Sequence, residues 1–69
     1  MKDTIRKGDA IWYVSPGDED RPIRRGTLLA VRDDGTADVM DEKDGIVDVD
    51  TDGIFDDRAD AERVMAACR

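Results

Sequence analysis

Sixty-nine residues make one small domain, and a core of that size supplies only ~3–5 kcal/mol without a covalent or metal staple. The 18 acids outweigh the 11 bases, and the resulting charge of −7 disfavours direct binding to DNA or RNA phosphates. A single cysteine excludes an internal disulfide, and the absence of histidine removes the imidazole base and the imidazole metal ligand.

The longest apolar run, AIWYV at Ala10–Val14, is far shorter than the roughly 20 residues of a membrane helix. Together with the lone Cys68 and the lack of a secretory apolar stretch, it leads to the expectation of a soluble, cytoplasmic protein with no membrane partner. The charge is uneven. Met1–Arg32 holds seven bases against five acids, for +2, and the remainder holds four bases against thirteen acids, for −9. Fifteen of the 18 acids are Asp and eight of the 11 bases are Arg, a bias that a GC-rich coding sequence or salt adaptation would also produce.

Taken along the chain, the punctuation divides it into strand-sized pieces. The first strand is predicted over 9–14, with Ile11 and Tyr13 on one face and Trp12 and Val14 on the other. SPGDED at 15–20 breaks it. A second strand follows over 26–32, GTLLAVR, which is apolar on both faces, so alternation cannot assign its inward side. Asp34-Gly35 and Asp44-Gly45 are hairpin signals. Between and after them lie predicted strands over 36–41, with Ala37 and Val39 opposite Asp38 and Met40, and over 45–52, with Val47, Val49 and Thr51 opposite Asp48, Asp50 and Asp52.

The period then changes. Ala61, Val64, Met65 and Cys68 fall on one helical stripe, predicting a helix over 57–68 with Asp57 as N-cap and Asp60 in its first turn. So short a helix is marginal alone and has to dock on the sheet, with Ile54 and Phe55 at the hinge. The expected fold class is mainly β with one C-terminal helix, in which four to five antiparallel strands curl into a small barrel that protects their edges.

KGDAIWYV, the Pro/Gly loop, RGTLLAV, DGTADVMD and GIVDVD together resemble a Src-homology-3-like (SH3-like) barrel of the KOW or Tudor type. The ending GIFDDRADAERVMAA is similar to the tails of short phage, prophage and mobile-element proteins. This resemblance implies binding of peptides, proteins or nucleic acid rather than catalysis. The chain departs from the pattern in being acidic where nucleic-acid-binding KOW domains are basic. It also carries only three aromatics where a peptide-binding SH3 groove is lined by several.

Four features are candidate sites. The stretch Asp48, Asp50, Asp52, Gly53 spells the front half of an EF-hand calcium loop. The closing acid of such a loop falls on Ala59, and the segment before it reads as turn and strand, so no metal site is assigned. Catalytic residues and cofactors are likewise not expected. Cys68 lies on the helical stripe without an activating His, Ser15 has no recognisable base, and so short a chain leaves little room for a cleft of ~300 Å3. Trp12, if it faces outward beside Arg21, Arg24 and Arg25, is a protein-contact hot spot; if inward, it is core. The basic cluster itself reads either as part of that contact or as a loop neutralised by Asp18, Glu19 and Asp20. Finally, Asp38, Asp48, Asp50 and Asp52 form an acidic face on neighbouring strands, with ~6.6 Å between alternate residues.

These features lead to the expectation of a non-catalytic protein-binding module that uses Trp12 and the Ser15–Arg25 loop. One alternative is an acidic, nucleic-acid-mimicking inhibitor of the anti-CRISPR or anti-restriction kind, acting through the aspartate face. Another is a structural component of a phage particle.

Overall fold

The computed structural model describes residues 4–15, 17 and 20–67. The strands are β1 (Ala10–Val14), β2 (Ile23–Val31), β3 (Thr36–Asp41), β4 (Gly45–Asp50) and β5 (Ile54–Phe55), followed by helix α1 (Arg58–Ala67). A 3-10 turn, Thr51–Gly53, joins β4 to β5. The fold is mainly β, with all five strands in one antiparallel sheet of order β4-β3-β2-β1-β5.

The hairpins form where Asp-Gly places them. Gly35 and Gly45 have φ of +88° and +76°, a region that side chains with a Cβ rarely enter. Each turn is also held by an aspartate. Asp34 Oδ1 accepts from the Thr36 amide at 3.1 Å and the Thr36 hydroxyl at 2.6 Å. Asp41 Oδ1 accepts from the amides of Lys43 and Asp44 at 2.8 and 3.0 Å.

The cross-strand register sorts side chains onto two faces. Ile11, Tyr13, Leu28, Ala37, Val39 and Ile54 turn inward as the buried core, with Val47 and Val49 packed half-buried against it. Ile5 also joins this core from the segment ahead of β1. In β2, a bulge between Leu28 and Ala30 reverses the phase. Leu28 therefore pairs with inward Val39, whereas Ala30 pairs with outward Asp38. Simple alternation therefore does not run through GTLLAVR. Gly26 is required for a different reason: a Cβ there would lie 2.6 Å from Val39 Cγ1 and 2.7 Å from the Met40 carbonyl oxygen.

The sheet is unclosed. β5 is two residues long and spends its pairing on β1, through Trp12–Phe55 and Tyr13–Ile54, so β4 and β5 remain the two edges. The expected curl thus stops short of a hydrogen-bonded barrel. α1 packs against β1, β5 and β2. Its first turn is capped by Asp57, whose Oδ1 accepts from the Ala59 amide at 3.0 Å. Ala61 is fully buried, and Val64 and Met65 are half-buried. Cys68, the last residue of the predicted stripe, lies outside the described residues. No helix among the described residues is long and apolar enough to cross a membrane.

Candidate functional site

Trp12 faces outward on β1, directly opposite Arg25 on β2 and Phe55 on β5. It is not a bare surface ring. The guanidinium carbons of Arg25 and Arg58 each lie 5.3 Å from its centroid, one from the neighbouring strand and one from the first turn of α1. Trp12 is consequently half-buried.

The basic cluster separates. Arg25 goes to Trp12, and Arg24 turns toward Tyr13, its inward-facing partner in the register. Arg24 Nη1 pairs with Asp44 at 2.5 Å, its Nε donates to the Arg21 carbonyl at 3.3 Å, and its side chain is 15% exposed. Arg21 is half-buried. Of the acids expected to neutralise this cluster, Asp18 and Glu19 lie outside the described residues. Arg24 pairs with Asp44, at the β3–β4 turn.

Beside Arg24 lies a buried polar pair. The Tyr13 hydroxyl donates to Asp41 Oδ2 inside the core. The carboxyl of Asp41 is held down to about 2, first by this hydroxyl and then by the two turn amides, against the opposing effect of burial. Burial and the Asp41 bond push the Tyr13 hydroxyl up to about 12.

Three of the four aspartates, Asp38, Asp48 and Asp50, share the outward face of the β3–β4 ladder, and they are not equivalent. Asp38 and Asp48 are direct cross-strand partners on the outward face. Like charges so placed repel, and Arg32, just after β2, resolves the repulsion. Its Nη1 donates to Asp38 at 2.6 Å, its Nη2 to Asp48, and its Nε to the Thr36 hydroxyl oxygen at 2.9 Å. The bond to Asp38 is the main reason its guanidinium is held even more firmly protonated than usual. Asp50 sits one step along β4, opposite Thr36, and Asp52 lies in the 3-10 turn. D-x-D-x-D-G is therefore strand followed by a turn, and among the described residues no three acids converge to hold an ion.

The unclosed sheet leaves a feature that sequence reasoning missed. An open groove of about 470 Å3 runs between β4 and the end of β1. Tyr13, Val47 and Val49 form its apolar floor, Val14, Ser15 and Gly53 its far side, and Asp48, Asp50 and Asp52 its rim. The expectation that so short a chain lacks room for a cleft is thereby corrected. The space comes from an open seam between edges, not from a cavity enclosed by a large core. A hint was present in the sequence, since β4 alternates Val with Asp and its valines have no following strand long enough to cover them.

No protein-family model, characterised protein or solved structure matches the chain.

Proposed function

We propose that the protein is a non-catalytic protein-binding module whose contact surface is the groove between β4 and the end of β1. The observation that carries this reading is the groove itself, an apolar floor of Tyr13, Val47 and Val49 beside a sheet edge. Apolar grooves with a polar rim are the usual shape of a peptide-accepting site. The Trp12 surface is less suited to the role, because two arginines of the same chain already cover the ring. The sequence resemblance extends the proposal to an opened relative of the SH3-like barrels, carried by a phage or other mobile element.

The acidic-inhibitor reading has weaker support. Arg32 bridges Asp38 and Asp48 and offsets half of their charge, which interrupts the row of charge a phosphate mimic needs. Selection from a displayed random-peptide library tests the two readings together. A shared apolar motif that persists at high salt supports the groove. Capture of basic peptides that share no apolar motif, lost at high salt, supports the acidic inhibitor. No enrichment at either salt overturns both.

A further inference from the structure

We propose that the outer edge of β4 accepts an extended peptide of alternating apolar and basic residues as an added antiparallel strand; this rests on the reading of the groove as a protein-binding surface.

The argument begins with the hydrogen-bond phase of β4. The Thr51 amide donates to the Gly35 carbonyl at 2.9 Å, one step beyond the Thr36–Asp50 pair. In an antiparallel ladder, bonded and non-bonded pairs alternate. Ala37–Val49 and Val39–Val47 are then the bonded pairs, and the amides and carbonyls of Ile46, Asp48 and Asp50 point away from β3. Among the described residues no strand pairs with that edge. It presents three amides and three carbonyls at regular spacing along the groove, a template for strand addition.

Side-chain alternation then specifies the occupant. Residues of the added strand opposite Val47 and Val49 turn inward onto the apolar floor, and those opposite Asp48 and Asp50 turn outward beside the carboxylates. Asp50 and Asp52 have no ion-pair partner among the described residues. A second copy of β4 is disfavoured on this edge, because it would bring its own Asp48 and Asp50 against these. Like charges on an exposed edge are a standard guard against self-pairing, and that guard leaves an oppositely charged strand as the complementary partner.

The probe is the synthetic peptide Thr-Lys-Val-Arg-Val-Lys-Thr, added to the 15N-labelled full chain. Binding is expected to slow amide exchange at Ile46, Asp48 and Asp50 by about tenfold or more, with Val47 and Val49 changing least because they already bond β3. Methylating alternate peptide nitrogens, or replacing Lys and Arg by Glu, is expected to abolish the protection. Asp50→Lys, an exposed change whose fold is checked by its amide spectrum, is expected to weaken binding about tenfold. If library-selected peptides occupy the groove while the edge amides stay unprotected, strand addition is overturned and the groove reading stands. If no peptide binds, both fall. Protection of the same amides that grows with protein concentration without peptide identifies a second copy as the occupant and overturns the basic-partner assignment.

Discussion

The hydroxyl of Tyr13 on β1 donates a hydrogen bond to the carboxylate of Asp41 at the end of β3, across the intervening strand β2, with both residues almost fully buried. The carboxylate accepts from two turn amides with its other oxygen, so one side chain links the core to the β3–β4 hairpin. Tyr13→Phe keeps the ring and removes the donor. It is expected to cost about 1.5–3 kcal/mol, the range for a hydrogen bond to a charged group, measured as a lower urea midpoint. An unchanged midpoint would show that the pair contributes nothing.

The same pair sets a pH window. Asp41 titrates near 3.8 in an ordinary environment and at about 2 here, so its stabilisation is complete above pH 4 and is lost as pH falls toward 2. Tyr13 titrates near 10 ordinarily and at about 12 here. Its stabilisation is complete below pH 10 and is lost as pH rises toward 12, because the unfolded chain ionises first. Urea midpoints across this range should show both limbs, and Tyr13→Phe should flatten the alkaline one and make the acid one shallower. An alkaline limb that is the same in both proteins would place its origin elsewhere.

Gly26 is held to its identity by space. Its missing Cβ would press on the Met40 carbonyl, a backbone atom that cannot rotate aside. Gly26→Ala is expected to destabilise by about 1–3 kcal/mol through overpacking, again read from the urea midpoint. A neutral or stabilising outcome would mean that β3 yields freely at this point.

Arg32 relieves a repulsion that the sheet register creates between Asp38 and Asp48. Arg32→Gln should lower the midpoint at low salt, with the deficit shrinking as salt screens the two carboxylates. Adding Asp48→Asn should restore much of the loss. If the two substitutions are strictly additive, the three side chains do not act as a unit.

The two guanidinium groups over Trp12 give an optical readout. Arg58→Ala removes one of the two guanidinium groups over the ring, so its fluorescence should shift to longer wavelength and stability should fall by about 0.5–1 kcal/mol. Emission unchanged from the parent protein would mean that the guanidinium does not shield the ring in solution.

Several parts of this fold are legible in the sequence for local reasons. Asp34-Gly35 and Asp44-Gly45 dictate their own turns, the alternation of β4 is a backbone period, and Asp57 caps the helix it precedes. What escapes the sequence is long-range. The β2 bulge at Leu29 mixes two phases within one apolar run, so neither face of the strand could be read as inward. Ile5 has no periodic neighbours and reveals its burial only when β1 and β2 are in place. The Arg32 bridge depends on the register that sets Asp38 against Asp48, and the Arg24–Asp44 pair spans two strands. The groove is the least legible of all, because it exists only through the shortness of β5 and the edge this leaves on β4.

The central claim is that the groove between β4 and the end of β1 is the contact surface, and amide-resolved titration with a library-selected peptide tests it most directly. Binding there predicts that the largest shifts centre on Ser15, Gly53 and the β4 residues Val47, Asp48, Val49 and Asp50. Shifts centred on Trp12, Arg25 and Arg58, with the groove amides unmoved, would contradict it.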